Sequence, residues 1–323
     1  FSFGMTSQDI LDILEKYAKN YIPDSVRRLI KKIGEKNENY RIVLSKGKFY
    51  LQGESREQME NVMDEKFKMF YEGGIKEVTE ESELGVELGL DRTVFLIEIK
   101  PDCVFRLKKK CKKRRNVRIY EEFHFLKDTN KELVGELKRD CLRPHQEKAL
   151  QQMFDNEIAR SGIIVLPCGS GKTLTAIAAC CKIKRSTMII ANSTQSVHQW
   201  KDEFLRWTTL KEKQIKLCTS GKKEQLGDEP CLLLISYSML SYRGQRQYEG
   251  QLIINDLLRR EWGMLIFDEV QTAPTDKIVD FCSKIKVQCK LGLTATLVRE
   301  DKKISELEFL IGPKLYEASW QDR

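Results

Sequence analysis

The sequence is short of several features that define whole classes of protein. No apolar run approaches the roughly 20 residues that a membrane span needs, and no charged-then-apolar leader opens the chain. There are only three histidines, and the ten cysteines include no CxxC pair, so no zinc-binding set with ordinary spacing can be assembled. We therefore expect a protein that is neither secreted nor membrane-embedded, with its cysteines reduced.

Composition sets the scale of the molecule. A chain of 323 residues, 41% of them hydrophobic, can bury large cores, and ordinary domain sizes predict about two domains. The net charge of +8 has the sign that suits a polyanionic partner, although charge alone identifies none. Because the chain begins with Phe1 rather than Met, we expect it to be part of a longer protein.

A strand-like run that ends in a glycine-rich loop carries the strongest chemical signal. Glycines at 169 and 171 let backbone N–H groups surround a β-phosphate at the N-terminus of the next helix. Lys172 supplies positive charge to the β and γ oxygens, and the Thr173 hydroxyl is a ligand for Mg²⁺. The general pattern has Gly where this chain has Leu166. The predicted nucleotide-binding residues of the loop are Leu166, Pro167, Cys168, Gly169, Ser170, Gly171, Lys172 and Thr173.

A second apolar run, residues 264–267, ends in two carboxylates, Asp268 and Glu269. Ligands collect at the carboxyl ends of buried parallel strands, where Asp268 would hold Mg²⁺ and Glu269 would deprotonate the attacking water. An acidic pair after a strand is more often a helix cap or a solvated turn. Together with the phosphate-binding loop, however, it predicts ATP hydrolysis, with Lys172, Asp268 and Glu269 as the catalytic residues.

The pattern of predicted secondary structure changes near residue 141. From there, apolar strands alternate with helices, and the candidate strands are 162–166, 187–191, 231–235, 264–268 and 290–294. This pattern predicts an α/β, doubly wound parallel sheet. The first 140 residues look like a smaller mixed α+β region, with helices near both ends of 6–33, a hairpin over 40–51, a charged helix over 54–70 and a loop that includes Gly73, Gly74 and the acidic stretch 77–87.

A helix predicted from Pro101 ends in a basic run, residues 108–115, in which seven of eight residues are Lys or Arg. A solvated helix end, a nucleic-acid contact and a nuclear-import signal all fit this run.

Two further residues also allow two interpretations each. Gln146 can read an adenine edge or lie on the surface, and Trp200 can belong to the core or to a nucleic-acid surface.

These elements, in this order, resemble the superfamily-two helicases and more closely the XPB family, the DNA translocase of the transcription and repair factor TFIIH. Besides the phosphate-binding loop, the segments that carry the resemblance are 142–150 (LRPHQEKAL), 193–200 (STQSVHQW), 235–240 (ISYSML), 291–304 and 311–318. Residues 6–10, 43–51 and 125–130 are similar to the N-terminal and damage-recognition regions of the family.

The resemblance implies a RecA-like P-loop NTPase fold and an ATP- and Mg²⁺-dependent 3′-to-5′ DNA translocase that acts in promoter opening and nucleotide excision repair. It implies double-stranded DNA and other TFIIH subunits as partners, a nuclear location, and no membrane. The implied domains are an N-terminal helical segment (1–37), a damage-recognition-like domain (38–140) and the first RecA-like lobe (141–323). It adds Arg143 and Gln146 to the nucleotide-binding set. The residues it assigns to DNA contact and coupling are Ser193, Ser196, Gln271, Thr294, Thr296, Arg299, Glu300 and Asp301.

Two departures from the family pattern qualify these expectations. The acidic box ends in Gln271 where the family has His, so coupling between nucleotide and DNA is expected to differ while the chemistry survives. The chain stops at Arg323, before the second lobe that supplies arginine fingers, whose loss costs roughly 10³–10⁵ in rate. On its own the chain should hydrolyse ATP weakly or not at all. The alternatives are another superfamily-two motor, such as an RNA helicase or restriction-type translocase, and a non-catalytic scaffold.

Overall fold

The structure is a computed structural model that describes residues 7–18, 21–28, 30, 40–63, 65–115, 117, 119–139, 142–155, 157–241, 248–272, 275–296 and 304–318. The strands are β1 Tyr40–Ser45, β2 Lys48–Gly53, β3 Tyr71–Val78, β4 Val94–Ile99, β5 Ile119–His124, β6 Phe154–Asp155, β7 Ile158–Arg160, β8 Gly162–Val165, β9 Thr187–Ala191, β10 Ile215–Cys218, β11 Leu232–Ser236, β12 Glu261–Phe267, β13 Lys286–Thr294 and β14 Lys314–Glu317. The helices are α1 Ser7–Tyr17, α2 Arg56–Val62, α3 Glu83–Leu88, α4 Val104–Arg115, α5 Pro144–Met153, α6 Lys172–Ile183, α7 Thr194–Trp207, α8 Tyr237–Ser241, α9 Tyr248–Arg259, α10 Thr275–Cys282 and α11 Ile304–Leu310. Among these described residues, none of the helices combines the length and apolarity needed to cross a membrane.

The second half of the chain builds a seven-stranded sheet in the order β10-β11-β9-β12-β13-β8-β14, with every pairing parallel. All residues of β9 and β11 are buried, as expected for strands covered by helices on both faces. The five strands predicted from 162 onward are all present, so the predicted α/β doubly wound parallel sheet is confirmed. Their carboxyl ends meet at one edge, which therefore gathers the loops that follow β8, β12 and β13.

The first half builds a mixed sheet in the order β3-β4-β2-β1-β5-β7-β6. The predicted hairpin is confirmed: β1 and β2 pair antiparallel, and Lys46 and Gly47 form the turn with positive φ. We call residues 40–124 the N-terminal unit. Strand β7 pairs with β5 and β6 pairs with β7, so these two strands complete the sheet although they follow the domain boundary predicted at residue 140. That boundary stays a prediction, and the chain crosses between the two sheets more than once.

Three local predictions for the N-terminal unit were wrong. The helix predicted over 54–70 ends at Val62, because Phe67 and Phe70 turn into the core, where both are almost fully buried. Gly73 and Gly74 lie within β3, an edge strand with a register shift between Glu72 and Lys76, rather than in a loop. Edge strands tolerate glycine where few side chains must pack. The acidic stretch that follows contains helix α3 instead of continuous loop.

The basic run on α4 is largely engaged by the protein itself. The Lys108 ammonium lies 3.1 Å from Glu121 Oε1, with both side chains about 95% buried. Lys109 pairs with Glu306 of α11 at 3.0 Å, and Lys112 lies over the Phe309 ring. A solvated helix end is therefore wrong for these three lysines. Lys109 and Lys112 join the N-terminal unit to the parallel-sheet lobe, and Lys108 lies inside the N-terminal unit. The side chains of Arg114 and Arg115 lie outside the described residues.

Residues 125–139 bind along the parallel-sheet lobe, and Arg185 anchors them. Its guanidinium donates to Asp128 Oδ2 at 2.7 Å and to the carbonyl oxygens of Phe125 and Asp128 at 3.0 and 2.8 Å. The Arg185 and Asp128 side chains are only 5% and 8% exposed. The segment continues with backbone hydrogen bonds from Leu133 to Lys184 and from Lys138 to Trp207. This arrangement fixes the connection between the two sheets.

Replacing Arg185 by Met is expected to lower the free energy of unfolding by about 3–5 kcal/mol, because the Asp128 carboxylate would remain buried without its partner. Urea denaturation followed by circular dichroism would measure the change. As a control, Lys131→Met removes a solvent-exposed ion pair with Glu229 and should change stability by less than about 1 kcal/mol. Equal stability of the Arg185→Met protein and the unchanged protein would contradict this account of the connection.

Candidate nucleotide-binding and hydrolysis site

The predicted phosphate-binding loop lies between β8 and α6. Gly169 and Gly171 have φ values of 77° and 82°, in the left-handed region that favours glycine. A Cβ on Gly171 would also lie 2.3 Å from Gln146 Nε2. The Ser170 hydroxyl closes the loop by donating to the Pro167 carbonyl oxygen at 2.5 Å. The loop therefore has the open backbone that close approach to a phosphate requires.

The other predicted loop residues divide by exposure. Leu166 is fully buried, and its N–H donates to the Thr294 carbonyl oxygen at 2.9 Å. Cys168 and Gly169 are exposed at the tip. Lys172 and Thr173 begin α6 and are partly buried, so they face the edge at which the strand ends meet. The Leu166 side chain packs in the core beneath the sheet's carboxyl edge and so anchors the start of the loop, whereas a glycine would leave that position unfilled.

The start of α5 supports the loop from the side. Gln146 is 1% exposed, and its amide nitrogen donates to the Gly171 carbonyl oxygen at 2.9 Å. Its amide oxygen accepts from the backbone N–H of Arg143 at 2.8 Å. His145 Nε2 lies 2.9 Å from the Ser170 carbonyl oxygen. The structure thus brings Gln146 to the loop and Arg143 next to Gln146, and nucleotide binding by either residue stays a prediction.

The acidic box follows β12 at the same edge. The Lys172 ammonium lies 3.3 Å from Glu269 Oε1, so the two predicted catalytic groups face each other. Glu269 has a φ of 46°, which is uncommon for a residue with a side chain and is found where a site holds strained backbone. Asp268 is flanked by the Trp200 indole, whose Nε1–H donates to Asp268 Oδ2 at 2.9 Å, and by the Tyr237 hydroxyl, which donates to its carbonyl oxygen at 3.1 Å.

Burial raises the pKa of Asp268, and the neighbouring Glu269 adds to the rise. The Trp200 hydrogen bond and the Lys172 charge oppose it. Of the two interpretations of Trp200, the core position is confirmed, since it is 3% exposed, yet its indole N–H also donates to the predicted metal ligand. Sequence reasoning missed that second contact and the one from Tyr237. The only available signal was that both residues follow strands of the sheet at its carboxyl edge.

Replacing Trp200 by Phe is expected to move the acidic limb of the pH–rate profile to higher pH. The substitution removes a donor that lowers the pKa of Asp268, so the carboxyl would take up its proton, and lose the metal, at a higher pH than before. The profile of kcat/KM for ATP hydrolysis by the full-length protein would show this shift. Trp207→Phe is the matched control, because Trp207 lies on the same helix but donates to Glu203. An unshifted acidic limb in Trp200→Phe would contradict the assignment.

Gln271 connects the acidic box to the end of β13. Its amide nitrogen donates to Glu269 Oε2 at 2.7 Å, and its amide oxygen accepts from the Thr294 hydroxyl at 2.6 Å. Thr294 Oγ1 in turn accepts from the backbone N–H of Thr296 at 3.1 Å. Gln271 therefore uses both ends of its amide at once, the nitrogen as a donor and the oxygen as an acceptor.

The remaining predicted coupling residues lie at different places. The Ser193 hydroxyl caps helix α7 by accepting from the Ser196 N–H at 3.1 Å, and the two hydroxyls lie 3.0 Å apart. Helix α7 also carries Trp200, so the cap is continuous with the site. The predictions for Arg299, Glu300 and Asp301 fall outside the described residues.

Hard oxygen ligands are what Mg²⁺ prefers, and Thr173 and Asp268 supply a hydroxyl and a carboxylate at the edge where the phosphate-binding loop lies. No group of three or more His, Cys, Asp or Glu side chains that could hold a metal by itself occurs among the described residues. Such a donor set fits an ion that is held by one or two protein groups together with nucleotide phosphates and water.

Comparison with known proteins agrees with this geometry. A family model described as "Type III restriction enzyme, res subunit" matches residues 140–299. The general transcription and DNA repair factor IIH helicase/translocase subunit XPB is 36% identical in Antonospora locustae and 37% identical in Encephalitozoon cuniculi, each over 323 residues. Both alignments cover 99% of this chain and 45% or 46% of the relative, so the chain spans a little under half the length of these proteins.

The similar solved structures have lower sequence identity to this chain than these relatives do. The UvsW helicase from bacteriophage T4 is 16% identical, with a TM-score of 0.47 over 86% of this chain and 99% of that one. The SWI2/SNF2 ATPase core of Sulfolobus solfataricus in complex with dsDNA is 20% identical, with a TM-score of 0.39 over 56% and 36%. The strand order of the chain itself establishes the fold. With more than a third of its residues identical along nearly its whole length, the chain belongs to the XPB family of helicase/translocase subunits.

Proposed function

We propose that the chain is the N-terminal region and first RecA-like lobe of an ATP-dependent, 3′-to-5′ DNA translocase of the XPB type. The observation that carries the proposal is a continuous set of contacts at the carboxyl edge of the parallel sheet. It runs from Lys172 to Glu269 at 3.3 Å, from Glu269 to Gln271 at 2.7 Å, and from Gln271 to Thr294 at 2.6 Å. These contacts join a phosphate-binding group to a catalytic base and to the strand end that the family uses for coupling.

Each residue then has a defined role in hydrolysis. The backbone of 167–171 and the Lys172 ammonium bind the β- and γ-phosphates, while Glu269 orients and deprotonates the attacking water. Thr173 and Asp268 would hold Mg²⁺, which would supply positive charge against the phosphates of ATP. Because Lys172 contacts Glu269 directly, phosphates that attract the ammonium would release the carboxylate to meet the water. Because Gln271 binds both Glu269 and Thr294, a movement of Glu269 would be transmitted through Gln271 to Thr294.

The proposal extends to the whole protein. The division into 1–37, 38–140 and 141–323 is proposed as a helical segment, a damage-recognition-like domain and the first motor lobe. A second RecA-like lobe would close on duplex DNA with this one and supply the arginine fingers, so the chain alone should hydrolyse ATP poorly. Membership of the family supports a nuclear protein that works with other TFIIH subunits in transcription and nucleotide excision repair.

Displacement of a triplex-forming oligonucleotide from duplex DNA by the full-length protein would test translocation. The proposal predicts ATP-dependent displacement that stops when the tracked strand carries a nonionic backbone block and continues when the other strand carries it. Displacement that is blocked equally by either modification would contradict single-strand tracking. ATP hydrolysis without displacement on duplex DNA, but with RNA unwinding, would instead favour an RNA helicase.

A further inference from the structure

Strand β13 carries polar side chains to two separate places. Alternate residues of a strand share a face, which places Gln288, Lys290 and Thr294 on one side of β13. Gln288 Nε2 donates to the Leu44 carbonyl oxygen of the N-terminal unit at 2.9 Å. Thr294, four residues beyond Lys290, donates to Gln271. One face of one strand therefore links the N-terminal unit to the hydrolysis residues.

The strongest of these contacts is a buried charge cluster. The Glu121 carboxylate lies between the ammonium groups of Lys290 at 2.7 Å and Lys108 at 3.1 Å, and all three side chains are 5–6% exposed. Burial opposes ionisation of Glu121, but the two lysines prevail and hold its pKa below the usual value. Two further hydrogen bonds link the backbones of the same residues through Ser161. Ser161 Oγ accepts from the Lys290 N–H at 2.9 Å, and the Ser161 N–H donates to the Glu121 carbonyl oxygen at 3.1 Å.

A cluster of this kind fixes position more than it adds stability. Buried ion pairs recover little more than the cost of removing their charges from water, whereas they allow only arrangements in which every charge meets its partner. Glu121 can satisfy both lysines only if β5 and β13 keep one relative placement. Together with the backbone pairing of β13 with β12 and β8, the cluster holds β13 in place along its length.

The placement of β13 decides the placement of the hydrolysis residues. At its carboxyl end, the Thr294 carbonyl oxygen accepts from the N–H of Leu166, which precedes the phosphate-binding loop. The Thr294 hydroxyl binds Gln271, and Gln271 binds the Glu269 carboxylate. A shift of β13 would move Thr294 relative to Gln271, and the hydrogen bond that orients Glu269 would lengthen or break.

We propose that Glu121 of the N-terminal unit is a positioning residue for ATP hydrolysis, acting through Lys290 and strand β13 on Gln271 and Glu269. The N-terminal unit thereby sets the rate of hydrolysis without contacting nucleotide. This inference rests on the proposed role of Glu269 as the base that activates water. It also gives Lys108, the buried lysine of α4, a function that a solvated or nucleic-acid-binding lysine would not have.

The test is Glu121→Gln in the full-length protein. It should lower kcat for ATP hydrolysis by between about 2-fold and about 30-fold, the range found for residues along a coupling route, and leave KM for ATP unchanged. Combining it with Gln271→Ala should lower kcat little further than Gln271→Ala alone, because the two changes act on one chain of contacts. If Glu121→Gln does not fold, Lys290→Gln, which keeps a donor facing Glu121, replaces it in the same cycle.

The matched control is Glu306→Gln. It removes the partner of Lys109, another contact between the N-terminal unit and the lobe, but one that does not pass through β13. Its kcat should equal that of the unchanged protein. Equal losses in Glu306→Gln and Glu121→Gln, a rise in KM in place of a fall in kcat, or independent effects of Glu121→Gln and Gln271→Ala would each overturn the inference. Absence of turnover in the unchanged protein would overturn the proposed function, and the inference with it.

Discussion

Replacing Lys172 by Ala in the full-length protein is expected to lower ATP turnover by at least about 100-fold, the loss typical of removing one preorganised charge from a transition state. Lys172 is the cation at the start of α6, and its ammonium is only 3.3 Å from the proposed base, Glu269. Without it, developing charge on the γ-phosphate would lack its nearest positive group. Steady-state phosphate release at saturating ATP measures the loss.

The control for Lys172→Ala is Lys131→Ala, since Lys131 is exposed and pairs only at the surface with Glu229. Its turnover should match that of the unchanged protein. Substantial ATP hydrolysis by the Lys172→Ala protein would show that phosphate is not bound at this loop, and the assignment of the site would be wrong.

Glu269→Gln is expected to lower kcat by about 10²–10⁴-fold, the usual contribution of a general base. Nucleotide binding should survive, because the phosphate-binding loop and Lys172 are unchanged and the amide has nearly the size of the carboxylate. Fluorescent-nucleotide titration and single-turnover hydrolysis would separate the two effects. The comparison variant is Glu203→Gln, which lies on α7 and binds the Trp207 indole.

A Glu269→Gln protein that turns over ATP at the rate of the unchanged protein would remove Glu269 from the chemical step. Loss of nucleotide binding in that variant, with the fold intact, would show instead that the carboxylate serves mainly to hold Lys172 in place. The 3.3 Å contact between the two side chains is the reason that this second outcome must be distinguished from a role in the chemical step.

Gln271 shows what the departure from the family pattern means physically. The amide satisfies a carboxylate oxygen with its nitrogen and a hydroxyl with its oxygen, and it cannot change charge. A histidine at this position could bind the same two groups neutral or charged, because the Thr294 hydroxyl accepts as well as donates, and it would change charge near neutral pH. The coupling proposed for Gln271 involves no such change of charge.

Sequence reasoning could propose a nucleotide site because the chemistry of such a site is local. The phosphate-binding loop and the acidic box are each contiguous, and each follows an apolar run whose end must lie at the carboxyl edge of the sheet. That topology brings the two segments to one edge, but it does not by itself predict the 3.3 Å contact between Lys172 and Glu269. The contact of Trp200 with Asp268 was not predicted either, because burial predicts a core position without saying which atom the indole N–H will meet.

The relation between the two sheets could not be predicted for a different reason. Lys290 and Glu121 are 169 positions apart, and each looks like an ordinary strand charge in its own segment. Strands β6 and β7, which complete the sheet of the N-terminal unit, have two and three residues, too few to show any periodicity. The Gly73-Gly74 pair indicated a loop only because edge-strand context is invisible from a single sequence.

Steady-state ATP hydrolysis by the full-length protein, measured with duplex DNA, single-stranded DNA, RNA or no nucleic acid and beside the Lys172→Ala variant, tests the central claim most directly. The account predicts strong stimulation by duplex DNA that disappears in the variant. Stimulation by RNA alone would contradict a DNA translocase and favour an RNA helicase, and no turnover under any condition would contradict a motor and favour a scaffold.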